Sequence, residues 1–210
     1  LLAAAPDRTH ACGFEDPTTV AIGALNFLYP DSLHVTGAIW AGQQSGDLAM
    51  PDRTRLQAKG EERKRLDAMA YYKVTRILQG LGAAFDEVGT DPEVSEVALV
   101  LVETALWTHY AAAGGSVATT VHATGPRNGD LVLVTGEALL AALGKGRLSL
   151  AQAADKGYLR LYGTPEQERA FLATYGTIGL QPLPAVRQSV WGQRFLPEPP
   201  AQSALARGGQ

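Results

Sequence analysis

The chain has 210 residues, 46% of them hydrophobic and 19% charged, with a formal net charge of −3 and a single cysteine, Cys12. That length buries a substantial core in one domain, or divides into two small ones. The missing basic excess argues against nucleic acid as the main partner, no apolar run is long enough to cross a bilayer, and one cysteine excludes an internal disulfide, a thiolate-rich zinc site and a c-type haem attachment.

Three regions follow one another: residues 1–90, mainly helical; 91–176, mixed strand and helix; and 177–210, a Pro-rich extended tail. The opening LLAAAP reads as the end of a secretory signal, implying a periplasmic or exported location, or else as an apolar arm of a cytoplasmic protein. Asp16 and Pro17 start a helix that runs through TTVAIGALNFL and stops before Pro30. A second helix starts near Asp31, carries His34 and Trp40, and ends at Gly46. After Pro51 a long helical pattern begins. Its first half is charged, and Leu66, Met69, Ala70, Val74, Ile77, Leu78 and Leu81 form an apolar stripe meant for the core. Gly60 bends or divides it.

Residues 97–110, VALVLVETALWTHY, read as one strand continuing through a bulge. SVATTVHATGPRNGDLVLV reads as two strands joined at PRNG, because Asn-Gly is a strong hairpin signal. Thr135 is placed to cap the next helix, which Gly144 and Gly146 end. Ser149 caps a small-residue helix that Gly157 stops. Tyr158–Tyr162 alternate as a strand with Leu159 and Leu161 inward, and Thr164, Pro165 and Gln167 open a last helix with a capping box. About four strands, followed by helices, give an α+β class: a helical N-terminal region, then an antiparallel or mixed sheet with helices on one face.

The order strand, EALLAALGKGRLS, LAQAADKG and YLRLYG resembles the C-terminal half of the sterol carrier protein 2 (SCP2-like) family. Gly146, Leu148, Ala153, Gly157, Leu159 and Gly163 stand at its pattern positions, over about a quarter of the chain. The resemblance implies a sheet and helices enclosing an apolar tunnel for lipid.

The residues themselves offer little reactive chemistry. His10 and Cys12 are two apart, a plausible soft-metal pair, but two ligands do not make a site, and His34, His109 and His122 lie at spacings that offer no support. Ser32 and His34 lack a nucleophile elbow, and no Gly-Lys-Ser/Thr phosphate loop is present. No catalytic residue, metal or cofactor is therefore assigned. Apolar walls with a few polar groups suit a lipid site, and Tyr72, Glu103, Trp107, Tyr110 and His122 are its candidate lining. Glu103, inside an apolar run, either points outward or sits in a pocket with a raised pKa.

Two functions compete. One is non-enzymatic binding of an apolar small molecule, such as a lipid, sterol or quinone-like compound, between sheet and helices. The other is an accessory subunit of a larger, periplasmic assembly, gripped through Trp191, Arg194 and Phe195 in the tail.

Overall fold

The structure, a computed structural model, describes residues 17–185 apart from position 95. Its elements run α1 (Pro17–Leu28), α2 (Ser32–Ser45), α3 (Arg53–Gln57), α4 (Gly60–Val88), β1 (Glu96–Leu101), β2 (Leu106–Ala113), β3 (Ser116–Ala123), β4 (Leu131–Thr135), α5 (Glu137–Gly144), α6 (Leu150–Asp155), β5 (Arg160–Tyr162) and α7 (Pro165–Tyr175). The α+β class stands: a helical N-terminal region precedes a mixed sheet of order β3-β2-β1-β4-β5.

Local chemistry accounts for several boundaries. Ser149 with Gln152 and Thr164 with Gln167 form full capping boxes, each satisfying two helix-end donors reciprocally. Gly157 adopts φ +74 where α6 stops, a left-handed turn that glycine enters without penalty. Gly60, at φ +59, begins α4 and separates it from α3, so the long helical pattern is divided.

Other boundaries differ from expectation. VETA is a tight hairpin loop, so 97–110 holds two antiparallel strands, with Ala105 at φ +50 closing the turn. The PRNG segment joins no hairpin. β3 pairs with β2 across the Gly114–Gly115 turn, and β4 crosses over to run parallel to β1. Gly136 occupies the cap position of α5, while Thr135 ends β4 and donates its hydroxyl to the Tyr158 carbonyl at 2.8 Å. Tyr158 is buried beside Leu159, leaving a three-residue β5 on which Leu161 is half-buried.

Pleating sorts the core into two layers. Tyr110, Val97 and Leu131 lie opposite one another in register and point toward α4. There Tyr110 donates its hydroxyl to the Leu78 carbonyl at 3.1 Å and meets Phe85 edge-on, and Phe85 in turn makes edge-type contacts with Phe171 and Tyr175 of α7. His109, Ala98 and Val132 point the other way. On that second face Tyr29, between α1 and α2, packs against Trp107 and Tyr162, and Arg160 pairs with Asp31 at the start of α2. Helices thus cover both faces of the central strands, which is why Val97–Leu101 and all of β4 are buried. β3, beyond this double cover, alternates between exposed and half-buried.

With 29 residues and about 1.5 Å of rise each, α4 is about 44 Å long and outreaches the strands. Val74, Leu78, Leu81 and Phe85 in its second half are buried. Met69, expected in the apolar stripe, is exposed on the overhanging first half.

Candidate functional site

Between α4, α5 and the segment 183–185 lies a cleft of about 340 Å³, within the size range of small-molecule sites. Its floor and walls are Ile77 and Gly80 of α4, Ala141 and Gly144 of α5, and Leu183, Pro184 and Ala185; Tyr72, Lys73, Arg76 and Lys145 complete the lining. Helical spacing puts Tyr72, Lys73, Arg76, Ile77 and Gly80 on one side of α4. Gly80 lets the chain approach closely, since a side chain there would press on the Pro184 carbonyl at 2.9 Å. The Arg76 guanidinium sits 5.9 Å from the Tyr72 ring centre, a cation–π distance. Among the described residues, three cations and no carboxylate line this apolar cleft.

The five residues proposed from sequence occupy different surroundings. Tyr72 lines the cleft. Tyr110 is buried in the aromatic core, where the gap bounded by Phe85, Val97, Tyr110 and Tyr175 is about 10 Å³, no more than a single water needs. Trp107 is half-buried against Tyr29 on the opposite face. His122, at φ +69, is the extra residue of a bulge: Trp107 faces Ala123 while Thr108 faces Val121. Its ring lies 6.2 Å from Tyr71. His10, Cys12, Trp191, Arg194 and Phe195 lie outside the described residues.

Glu103 sits in the β1–β2 turn, and its carboxylate closes the N-terminus of α5, accepting the Glu137 backbone N–H. It takes the place of a capping side chain that Gly136 cannot supply. Glu103 as a residue is exposed, while its carboxyl group lies against the backbone of Gly136 beside the Ile39 side chain. Desolvation there pushes its pKa up to about 7, against the lowering effect of the backbone hydrogen bonds. Beside it, Arg55 bridges Glu137 and Asp67, tying α3 to the starts of α4 and α5.

On the second sheet face the histidine of β2 has found polar company that its sequence neighbours did not announce. His109 Nε2 lies 3.0 Å from Asp130 Oδ2 and 3.6 Å from Glu96 Oε2, while Arg127 approaches Glu96 at 3.7 Å. His109 and Asp130 are 5% and 8% exposed. The PRNG turn builds this arrangement: Gly129 adopts φ +94, and the Arg127 backbone N–H donates to the Asp130 carboxylate at 2.7 Å. The Asn-Gly pair in the sequence correctly marked a turn; the turn delivers Asp130 instead of pairing strands.

No protein-family model matches the chain, and no curated protein matches it. Among solved structures, the stereoselective inverting sec-alkylsulfatase Pisa1 from Pseudomonas sp. is similar over 40% of this chain at 14% identity, with a TM-score of 0.32. A double mutant of that sulfatase gives 0.33. The chain spans 13% of the sulfatase's length. A UbiJ-SCP2 ubiquinone synthesis protein is similar over 55% of this chain and 96% of its own, at 12% identity and a TM-score of 0.30. These likenesses are too slight to carry a functional reading.

Proposed function

We propose that the chain binds an amphiphilic small molecule, apolar in body and anionic at one end, in the cleft between α4, α5 and residues 183–185. The carrying observation is the union of an apolar floor with Lys73, Arg76 and Lys145. Burying an apolar chain on that floor contributes roughly 25 cal/mol per Å² before ordering costs. The cations give the ligand direction, because an anionic head gains by meeting them where solvent is partly displaced. The bound molecule is held without being transformed.

The test is extraction of the purified chain into organic solvent with mass spectrometry, followed by titration of the delipidated chain with oleate. A stoichiometric amphiphile and saturable oleate binding are expected. An empty extract together with no saturable binding would overturn the proposal.

A second reading, docking on a larger assembly, draws support from α1 and α2. Phe27 and Trp40 are 85% and 63% exposed, with Leu28 and Leu33 also at the surface, and such concentrated apolar exposure marks interaction surfaces.

A further inference from the structure

We infer that Glu96, His109 and Asp130 form a three-ligand site for a divalent first-row transition ion. One imidazole nitrogen and two carboxylates come from three places in the chain: the first residue of β1, the middle of β2 and the loop before β4. Their donor atoms all lie within 4.8 Å of one another. Donors held about 2.1 Å from a shared ion sit roughly 3.0–3.4 Å apart in octahedral or tetrahedral geometry; His109 Nε2 lies 3.0 Å from the Asp130 oxygen, within that range, and 3.6 Å from the Glu96 oxygen, which closes on an ion by a small rotation of the half-exposed Glu96 side chain.

The surroundings keep these donors in place. Ala98 lies opposite His109 in β1, and its small side chain lets the imidazole reach across the strand to Asp130. Asp130 is aimed by the Arg127 backbone N–H, an outer hydrogen bond of the kind that fixes a ligating carboxylate. The Arg127 side chain is 67% exposed and approaches Glu96 from solvent. It can swing away as an arriving ion takes over its charge. With imidazole among three donors, zinc, manganese or iron suits the set better than calcium or magnesium. The site is on the sheet face opposite α4 and is independent of the amphiphile cleft.

The competing view is a His109–Asp130 hydrogen bond that only ties β2 to the loop before β4, with Glu96 and Arg127 as a surface ion pair. Glu96 separates the two, because the clamp does not need it. The full chain, stripped with chelator, is titrated calorimetrically with Zn²⁺ as wild type, as His10→Ala/Cys12→Ser, as Glu96→Gln and as His109→Gln, with melting recorded in each case. One equivalent is expected to bind in the wild type and in His10→Ala/Cys12→Ser. His109→Gln should abolish binding. Glu96→Gln should weaken it at least about tenfold while leaving the metal-free melting temperature unchanged. The site is refuted by the absence of saturable zinc binding, by its loss in His10→Ala/Cys12→Ser, or by Glu96→Gln binding as tightly as wild type.

Discussion

The Glu103 carboxylate accepts the backbone N–H of Glu137, 34 residues further on, at 3.1 and 3.2 Å from its two oxygens. With its pKa pushed up from 4.5 to about 7, folded Glu103 keeps a proton that the unfolded chain has released. Stability from this group is fully present below about pH 4.5 and is lost as pH rises through about 7. Asp31, Asp47 and Asp67, all held low by hydrogen bonds to cationic partners, titrate below this window. Melting temperature should therefore fall between pH 5 and pH 8 in the wild type, and that part of the fall should vanish in Glu103→Gln. Parallel pH profiles for the two proteins would refute the shift.

Charge reversal in the cleft, by Arg76→Glu or Lys145→Glu, should weaken oleate binding by about tenfold, or about 1.4 kcal/mol, with melting unchanged. Ala141→Phe should block binding by filling the floor while leaving the cations intact. Fluorescence competition measures all three. Binding indifferent to both charge reversals would remove the anionic head from the proposal.

Gly146 combines φ +67 with a close approach, because a side chain there would meet the Pro182 nitrogen at 2.7 Å and the Gln181 carbonyl carbon at 2.8 Å. Gly46 has φ +86 but faces open space. Gly46→Ala should cost about 1 kcal/mol for the left-handed backbone alone, and Gly146→Ala clearly more, about 2–3 kcal/mol, since the segment leading to Leu183 must also shift. Urea denaturation compares them, and equal losses would show that the contact is unimportant.

Leu161 faces Leu133 in register at the edge of the sheet. It is half-buried, whereas Leu133 is fully buried. Leu161→Asp should cost about 1–3 kcal/mol and leave the C-terminal region folded, since the new carboxylate can reach water from β5. Leu133→Ala should cost about 2–5 kcal/mol through the cavity it leaves. Equal or reversed losses in chemical denaturation would contradict the two degrees of burial.

What could be read from sequence was what is decided within a few residues. Ser149 with Gln152, Thr164 with Gln167, and Gly157 carry their own geometry, and each falls where its chemistry placed it. The β1–β2 hairpin went unseen because its left-handed residue is Ala105, with no glycine or asparagine to announce it. Asn128-Gly129 suggested a hairpin because turn signals are local, whereas the choice of partner for β4 is made by burial on both faces beside β1. Tyr72 lies in the cleft, but Gly80, Ala141, Gly144 and Leu183 gather there only through the packing of α4 on α5 and of the chain after α7. His109 stood out as a histidine, yet nothing in its spacing pointed to Asp130, 21 residues away, or to Glu96 across the strand pair.

The bulge at His122 also governs what the molecule does in a crowd. β3 is one margin of the sheet, and its extra residue breaks the even row of outward amide and carbonyl groups that a second chain would need for continuous pairing. At the other margin, β5 offers only three residues. Among the described residues the sheet thus offers a second chain one interrupted margin and one short one, which works against edge-to-edge pairing.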